Sequence, residues 1–282
     1  MKLTILGSGS PEAYVRRASS GYLLEIGDDK ILFDCGGGVF DNLLRAGLKP
    51  SDISYIVFSH LHSDHMMDYA RLVHSAWDEG GAPIKVFGPS PIAAITDGYF
   101  GRNGVLSHDL RARTELEPSQ LVWQARGGTL PRAWPVPEIT EIVDGATIQG
   151  TGWRILSFAV PHAQPVLGCF GFRLEAAGKA FVYSGDAALC DALASHCSGA
   201  DLLLHWCYRL DSQPSYPAME RLTPTPTEIA KMALQAGVQR LLLTHMRVNM
   251  DSPAQQAEVR AALSQHFEGP SEVVKDLDVH TI

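Results

Sequence analysis

Short apolar runs, cut by glycine, proline or acidic turns, dominate the first third of the chain. KLTILGSG reads as a strand entering a glycine turn, and GYLLEIG and KILFDCGGG flank an Asp-Asp turn as the two arms of a hairpin. FDNLLRAGL has helical spacing with a stop at Gly47, and ISYIVFSH is an apolar strand. MMDYARLVHSAW resumes helical spacing before IKVFGP, a strand ending at a Gly-Pro turn. From about Ser90 to Pro137 the pattern loses regularity. IAAITDGYF and LRARTELE predict helices there and GGTLPRAWPVP a loop, so 90–137 reads as an irregular insertion or lid-like segment. Strands return with ATIQG, WRILSFAVPH, CFGFRLEAAG and KAFVYSGD. ALCDALASH predicts a helix, ADLLLHWCY a strand, and TPTEIAKMALQAG a helix capped by Thr225 or Thr227 and stopped at Gly237. RLLLTH, AQQAEVRAALSQHF and EVVKDLDVHTI follow as strand, helix and final strand. Two successions of strands with helices interposed predict two sheets covered by helices, an α/β sandwich folded as one domain over residues 1–282.

Composition narrows the class. With 282 residues, 45% of them hydrophobic, the chain can bury a large core. A net charge of −8, with Arg and Lys scattered and densest at Arg102, Arg111 and Arg113, argues against a dedicated polyanion binder. No apolar stretch is long enough for a signal peptide or a membrane span. The five cysteines are odd in number and lack paired zinc-finger spacing, so a reduced cytoplasm is the expected setting.

One segment changes the picture. SHLHSDHMMD, Ser59 to Asp68, holds three of the eleven histidines of the chain. His60 and His62 alternate on an extended segment and point to the same side, and Asp64 and His65 follow where the strand gives way to a helix. Imidazoles and a carboxylate converging at the end of a buried strand suit zinc, and also iron or manganese. Burying them without a partner would be costly. Three more candidate ligands end apolar strands: His162 after WRILSFAVP, Asp186 after KAFVYSG and His245 after RLLLT. Ends of strands are where α/β folds place their ligands.

In order and spacing, His60, His62, Asp64, His65, His162, Asp186 and His245 resemble the motifs of the metallo-β-lactamase superfamily, and Asp34 in LFDCGGG resembles its early aspartate. The resemblance spans nearly the whole chain. It implies a four-layer αββα sandwich with two metals in a groove at the sheet edges. By it, His60, His62 and His162 would hold the first metal, Asp64, His65 and His245 the second, and Asp186 would bridge them. Within the superfamily, ILGSGSPEAYVRRASSGYLLEI and FDCGGGVFDNLLRAG are similar to ribonuclease Z and its arylsulfatase-like relatives. ADLLLHWCY departs from them: His205 is kept, but Trp206 stands where ribonuclease Z has a glutamate. The lysine that accompanies Arg16 and Arg17, and a Gly-Pro- and Lys-rich arm, are missing too, which disfavours tRNA as the substrate. A homodimer is implied by the resemblance.

Two metals about 3.5–4 Å apart lower the pKa of a bridging water and supply hydroxide near neutral pH. The expected activity is hydrolysis of a phosphodiester or similar small ester, with an aryl sulfate, lactone or carboxylic ester as the alternative bond and a single-iron oxidoreductase as a further class. Asp64 or Asp186 is expected to orient the hydroxide and His205 to act as general acid. Asp68 is a candidate brace for a metal-bound imidazole. Arg16, Arg17 and Arg247 are candidates to meet an anionic substrate, and Trp206 and Tyr208 to line its groove.

Overall fold

The computed structural model describes residues 1–282. Its first half contains strands β1 (Lys2–Gly7), β2 (Gly21–Ile26), β3 (Asp29–Phe33), β4 (Tyr55–Val57), β5 (Lys85–Gly88) and β6 (Glu138–Glu141). Between them lie helices α1 (Val39–Arg45), α2 (Ser63–Met66), α3 (Tyr69–Asp78), α4 (Ile92–Phe100), α5 (Ser107–Glu115) and α6 (Glu117–Ala125). The second half contains β7 (Thr147–Gly150), β8 (Trp153–Ala159), β9 (Phe170–Ala176), β10 (Lys179–Tyr183), β11 (Leu202–Trp206), β12 (Leu241–Thr244), β13 (Ser271–Val273) and β14 (Val279–Thr281). Its helices are α7 (Asp191–Cys197), α8 (Pro217–Leu222), α9 (Pro226–Gln235) and α10 (Pro253–His266).

The strands form two seven-stranded mixed sheets, ordered β14-β1-β2-β3-β4-β5-β6 and β13-β12-β11-β10-β9-β8-β7. Side chains alternate across a strand, so a strand buried on both faces feeds two cores. Leu24, Ile31, Phe33 and Val57 of one sheet meet Phe172, Phe181, Tyr183 and Leu204 of the other in the central core. The intervening Leu23, Leu32 and Ile56 pack under the helices of the first sheet, and Val182, Leu203 and Leu243 under those of the second. Three stacked apolar layers produce the expected αββα sandwich.

The structure departs from the sequence pattern in three places. EVVKDLDVHTI is not one strand: β13 closes the second sheet beside β12, and β14 crosses to pair antiparallel with β1 in the first. Leu277, with φ of 69°, turns the chain between them. Segment 90–137 is mainly helical, and α6 within it buries no residue. Nor does α8. Helices without a buried face leave no apolar stripe to read. At α9, Thr225 is the cap: its hydroxyl accepts the Glu228 amide while Glu228 accepts the Thr225 amide.

Candidate metal centre

The segment after β4 is held by backbone hydrogen bonds to both sheets. Cys35 donates to the His65 carbonyl (2.7 Å) and Phe170 of β9 to the Ser59 carbonyl (2.9 Å). The approach is close enough that a Cβ on Gly36 would lie 2.0 Å from the Asp64 carbonyl oxygen, so no other residue fits there. Across the groove, His162 follows β8, Asp186 follows β10 and His245 follows β12. His60, Asp64, His65, Asp186 and His245 are buried, and His62 and His162 half-buried.

These seven side chains aim their ligand atoms at one another. His60 Nε2 lies 3.0 Å from His62 Nδ1, which lies 3.3 Å from His162 Nε2. Asp64 Oδ2 is 3.1 Å from His245 Nε2 and 3.4 Å from His65 Nε2. Asp186 Oδ2 sits between the two groups, 3.4 Å and 3.2 Å from His65 and His245 Nε2, and 3.9 Å and 3.8 Å from His60 and His162 Nε2. Donors about 2.0–2.1 Å from a tetrahedral zinc stand roughly 3.4 Å apart, so both clusters have the right spacing for a cation. His65 Nε2 and Asp186 Oδ1 are buried without a hydrogen-bond partner, which is tolerable where a cation binds them.

The electrostatics agree. Burial, with neighbouring histidines adding to it, pushes His60 well below the usual imidazole pKa and favours the neutral ligand form. Burial alone would raise the carboxyl of Asp64, but hydrogen bonds from His245 and His65 outweigh it and hold it well below the usual carboxylate range. For Asp186, burial is likewise overcome by the charges of His245 and His65. At His65 burial would lower the pKa, yet Asp186 and Asp34 raise it far above the ordinary value. Carboxylates ionised around that ring create a field suited to cations.

Asp34 fixes the orientation of His65. Its Oδ1 accepts the Ser59 amide (2.8 Å), and its Oδ2 accepts from the Ser59 hydroxyl (2.8 Å), His65 Nδ1 (2.9 Å) and the Tyr183 hydroxyl (2.6 Å). With Nδ1 carrying the proton, His65 Nε2 presents its lone pair to the groove. Asp34 (φ 57°) and His245 (φ 63°) both sit in left-handed backbone, an uncommon conformation for such residues.

A cleft of about 240 Å³ opens over the cluster. His62, Asp64, His162, Asp186 and His245 form its floor, and Pro11, Trp206, Tyr208, Met219, Leu222 and Thr223 its walls.

The model of the beta-lactamase superfamily domain matches residues 29–246. The chain is 30% identical to a protein named ribonuclease Z from Mycobacterium bovis, over 98% of this chain and 96% of that one. The fold is similar to the metallo-β-lactamase fold protein YhfI of Bacillus subtilis (TM-score 0.75, 20% identity, 99% of each chain). It is also similar to human tRNase Z, short form (TM-score 0.70, 20% identity, 100% of this chain and 99% of that one). The chain belongs to the metallo-β-lactamase superfamily. It is a metal-dependent hydrolase of that superfamily, as its motifs led us to expect.

Around the superfamily cluster, several expected roles are corrected. His205 does not reach the cleft: its side chain is wholly buried, and its Nδ1 donates to the Trp206 carbonyl (2.6 Å). Burial lowers its pKa to about 4, so it is a neutral interior histidine and not a general acid. Arg17 is buried and structural, donating to the Ser8 hydroxyl, the Val274 carbonyl and Asp251. Arg16 packs on Tyr14 and opens onto a separate surface depression with Arg260 and Lys275. Arg247 spends its charge on Glu12 (2.8 Å) while lying over the Tyr208 ring. Asp68 braces no imidazole; it accepts the amides of Gly38 (2.8 Å) and Phe40 (3.0 Å) and so anchors the start of α1.

Trp206 and Tyr208 do line the cleft. Sequence reading missed Pro11, Met219, Leu222 and Thr223, and the Tyr183 bond to Asp34. A hydroxyl on the core-facing register of β10 signals a buried acceptor, and Tyr183 carries that signal. No helix is long and apolar enough to cross a membrane.

Proposed function

We propose that this hydrolase uses two divalent cations, zinc being the ion best suited to the donor set, to cleave a phosphodiester or similar small ester. The observation that carries the reading is Asp186, whose carboxylate stands between a three-histidine cluster and the Asp64–His65–His245 cluster. His60, His62 and His162 would hold one ion, Asp64, His65 and His245 the other, and Asp186 both. The ions would supply an activated water at neutral pH and neutralise charge growing on the ester oxygens.

The chain's own groups do the rest. Asp34 keeps His65 in the ligating tautomer, and Ser59 and Tyr183 hold Asp34. Asp64, ionised, is placed to accept a hydrogen bond from the attacking water and aim it. Tyr208, on the cleft wall, has a phenol that is protonated at neutral pH, and in place of His205 it is positioned to donate to the leaving oxygen.

Full-length similarity to a protein named ribonuclease Z supports the phosphodiester over a sulfate ester or lactone. The cleft favours a small diester over tRNA, since no Arg or Lys lines it. The test is turnover of bis(p-nitrophenyl) phosphate, p-nitrophenyl sulfate, a chromogenic lactone and a tRNA precursor by zinc- or manganese-loaded protein. Diester turnover that is lost in His62→Ala supports the proposal. Turnover of the sulfate or lactone alone refutes it. The homodimer is part of the same reading, and sedimentation equilibrium tests it.

A further inference from the structure

Away from the metal centre, a polar hollow of about 540 Å³ opens where the loop between β1 and β2, helix α10 and the turn between β13 and β14 meet. Pro253, Gln256 and Arg260 stand at the three- and four-residue spacing that puts them on one face of α10. Arg16 enters from the loop and Lys275 from the turn. Arg16, Arg260 and Lys275 are all exposed, and none forms a salt bridge. The two acids in the lining do not answer them. Asp251 accepts from Arg17 (2.7 Å) on one oxygen and from the Tyr14 hydroxyl (2.9 Å) on the other. Asp276 accepts the Ser8 amide and hydroxyl on one oxygen, and the Ala18 amide and Asn42 on the other. Arg17 lines the hollow as well; it is buried, and its Nε has no hydrogen-bond partner. Positive charge is thus left over here, in a chain that holds 31 Asp and Glu against 23 Lys and Arg. The first turns of the 14-residue α10 add the positive end of the helix dipole.

We infer that this hollow binds a small phosphate-bearing anion, at a site separate from the metals and independent of which ester they cleave. Guanidinium groups present planar forks that match phosphate oxygens, and a lysine adds a compact point charge. A neutral or apolar ligand finds little to hold it, since Pro253 is the one non-polar residue in the lining. The free cations come from three separate segments and converge on one hollow instead of forming a stripe, which suits a compact anion over a long polyanion. The volume agrees, because pockets for small ligands run to roughly 300–1,000 Å³. A free phosphate and the phosphate end of a nucleotide share this chemistry.

The test is chemical footprinting of zinc-loaded protein at constant ionic strength, with phenylglyoxal for arginine and acetic anhydride for lysine, read residue by residue by mass spectrometry. No Arg or Lys lines the metal cleft, so protection of these side chains reports the hollow and not the metals. The probes are inorganic phosphate, ribose 5-phosphate and adenosine 5′-monophosphate. At twice its Kd, a bound anion should slow modification of Arg16, Arg260 and Lys275 together by about threefold, with the exposed Arg102 and Lys231 unaffected. Equal protection by the three probes assigns the phosphate alone. Protection by adenosine 5′-monophosphate at a roughly tenfold lower concentration than ribose 5-phosphate assigns a nucleotide. In Arg260→Gln, protection of Arg16 and Lys275 should need about threefold or more of the anion, while turnover of bis(p-nitrophenyl) phosphate stays unchanged. Protection no greater than at Arg102 and Lys231, or protection indifferent to Arg260→Gln and to Lys275→Gln, overturns the anion site and leaves the hydrolase reading intact.

Discussion

Replacing Asp34 by asparagine separates the charge and the proton acceptance of this residue from its shape. Asparagine tolerates the left-handed backbone at this position (φ 57°), so the exchange adds little strain of its own. The Ser59 amide, 2.8 Å from Oδ1, can only donate, so the new carbonyl oxygen must occupy that side. The new NH2 then faces the Ser59 hydroxyl, the Tyr183 hydroxyl and His65 Nδ1. Its two hydrogens can serve only two of these three, and the amide nitrogen accepts from none, so His65 Nδ1 loses the acceptor that held its proton. His65 can accept only by moving its proton to Nε2, the atom facing Asp64 and Asp186. The exchange therefore blocks one metal ligand while leaving every ligand residue in place. Loss of a partner that orients a ligand costs about 10–100-fold in metal affinity. Replacing buried hydrogen bonds to a charged acceptor costs about 2 kcal/mol, or roughly 4–8 °C in Tm. Zinc titration against a competing chelator should find one ion weakened by that factor and the other nearly unchanged, with differential scanning calorimetry of the metal-free protein giving the stability loss. Two zinc affinities within twofold of the wild-type values would refute the tautomer argument.

Tyr208→Phe should slow esters with alkyl leaving groups more than p-nitrophenyl esters, because only a poor leaving group needs the proton; equal slowing of both series excludes Tyr208 as the donor. Asp68→Ala removes the acceptor for the Gly38 and Phe40 amides and should cost about 1–2 kcal/mol in chemical denaturation with zinc content unchanged. Burial would raise the carboxyl of Asp251, but its bond and charge interaction with Arg17 outweigh this and lower its pKa. The pair therefore stabilises the fold above about pH 4, the unfolded value, and that contribution is lost as pH falls through the folded value. Asp251→Asn should then be destabilising at pH 7, with the deficit narrowing below pH 4 in denaturant titrations; a deficit independent of pH would contradict this.

The parts of the fold with buried faces were legible. Strands such as KAFVY and ISYIV announce themselves because both faces are covered, and the candidate ligands stand at their ends. Two helices that bury nothing, α6 and α8, were silent, and with α8 went Met219 and Leu222 of the cleft wall. Adjacent residues were the other difficulty. Leu202 and Leu204 of β11 face the central core, so Trp206 continues that face to the groove while His205 turns with Leu203 and Cys207 toward the helices. Applied to HWC, the two-residue period selects the tryptophan over the histidine. For Arg16 and Arg17, in a loop, no such period exists, and only the fold reveals which one is buried.

His60, His62, Asp64 and His65 follow the end of a strand in one sheet, and His162, Asp186 and His245 follow the ends of strands in the other. Neither half owns a complete set of donors around the shared Asp186, and the sheets share no ladder, meeting through side chains and a few isolated backbone hydrogen bonds such as Phe170 to Ser59. Cations bound across that seam would act as rivets. They could be taken up firmly only after the two halves had docked, making metal capture a late event in maturation. A chain starved of metal would then loosen first along the seam, between two sheets each still hydrogen-bonded within itself.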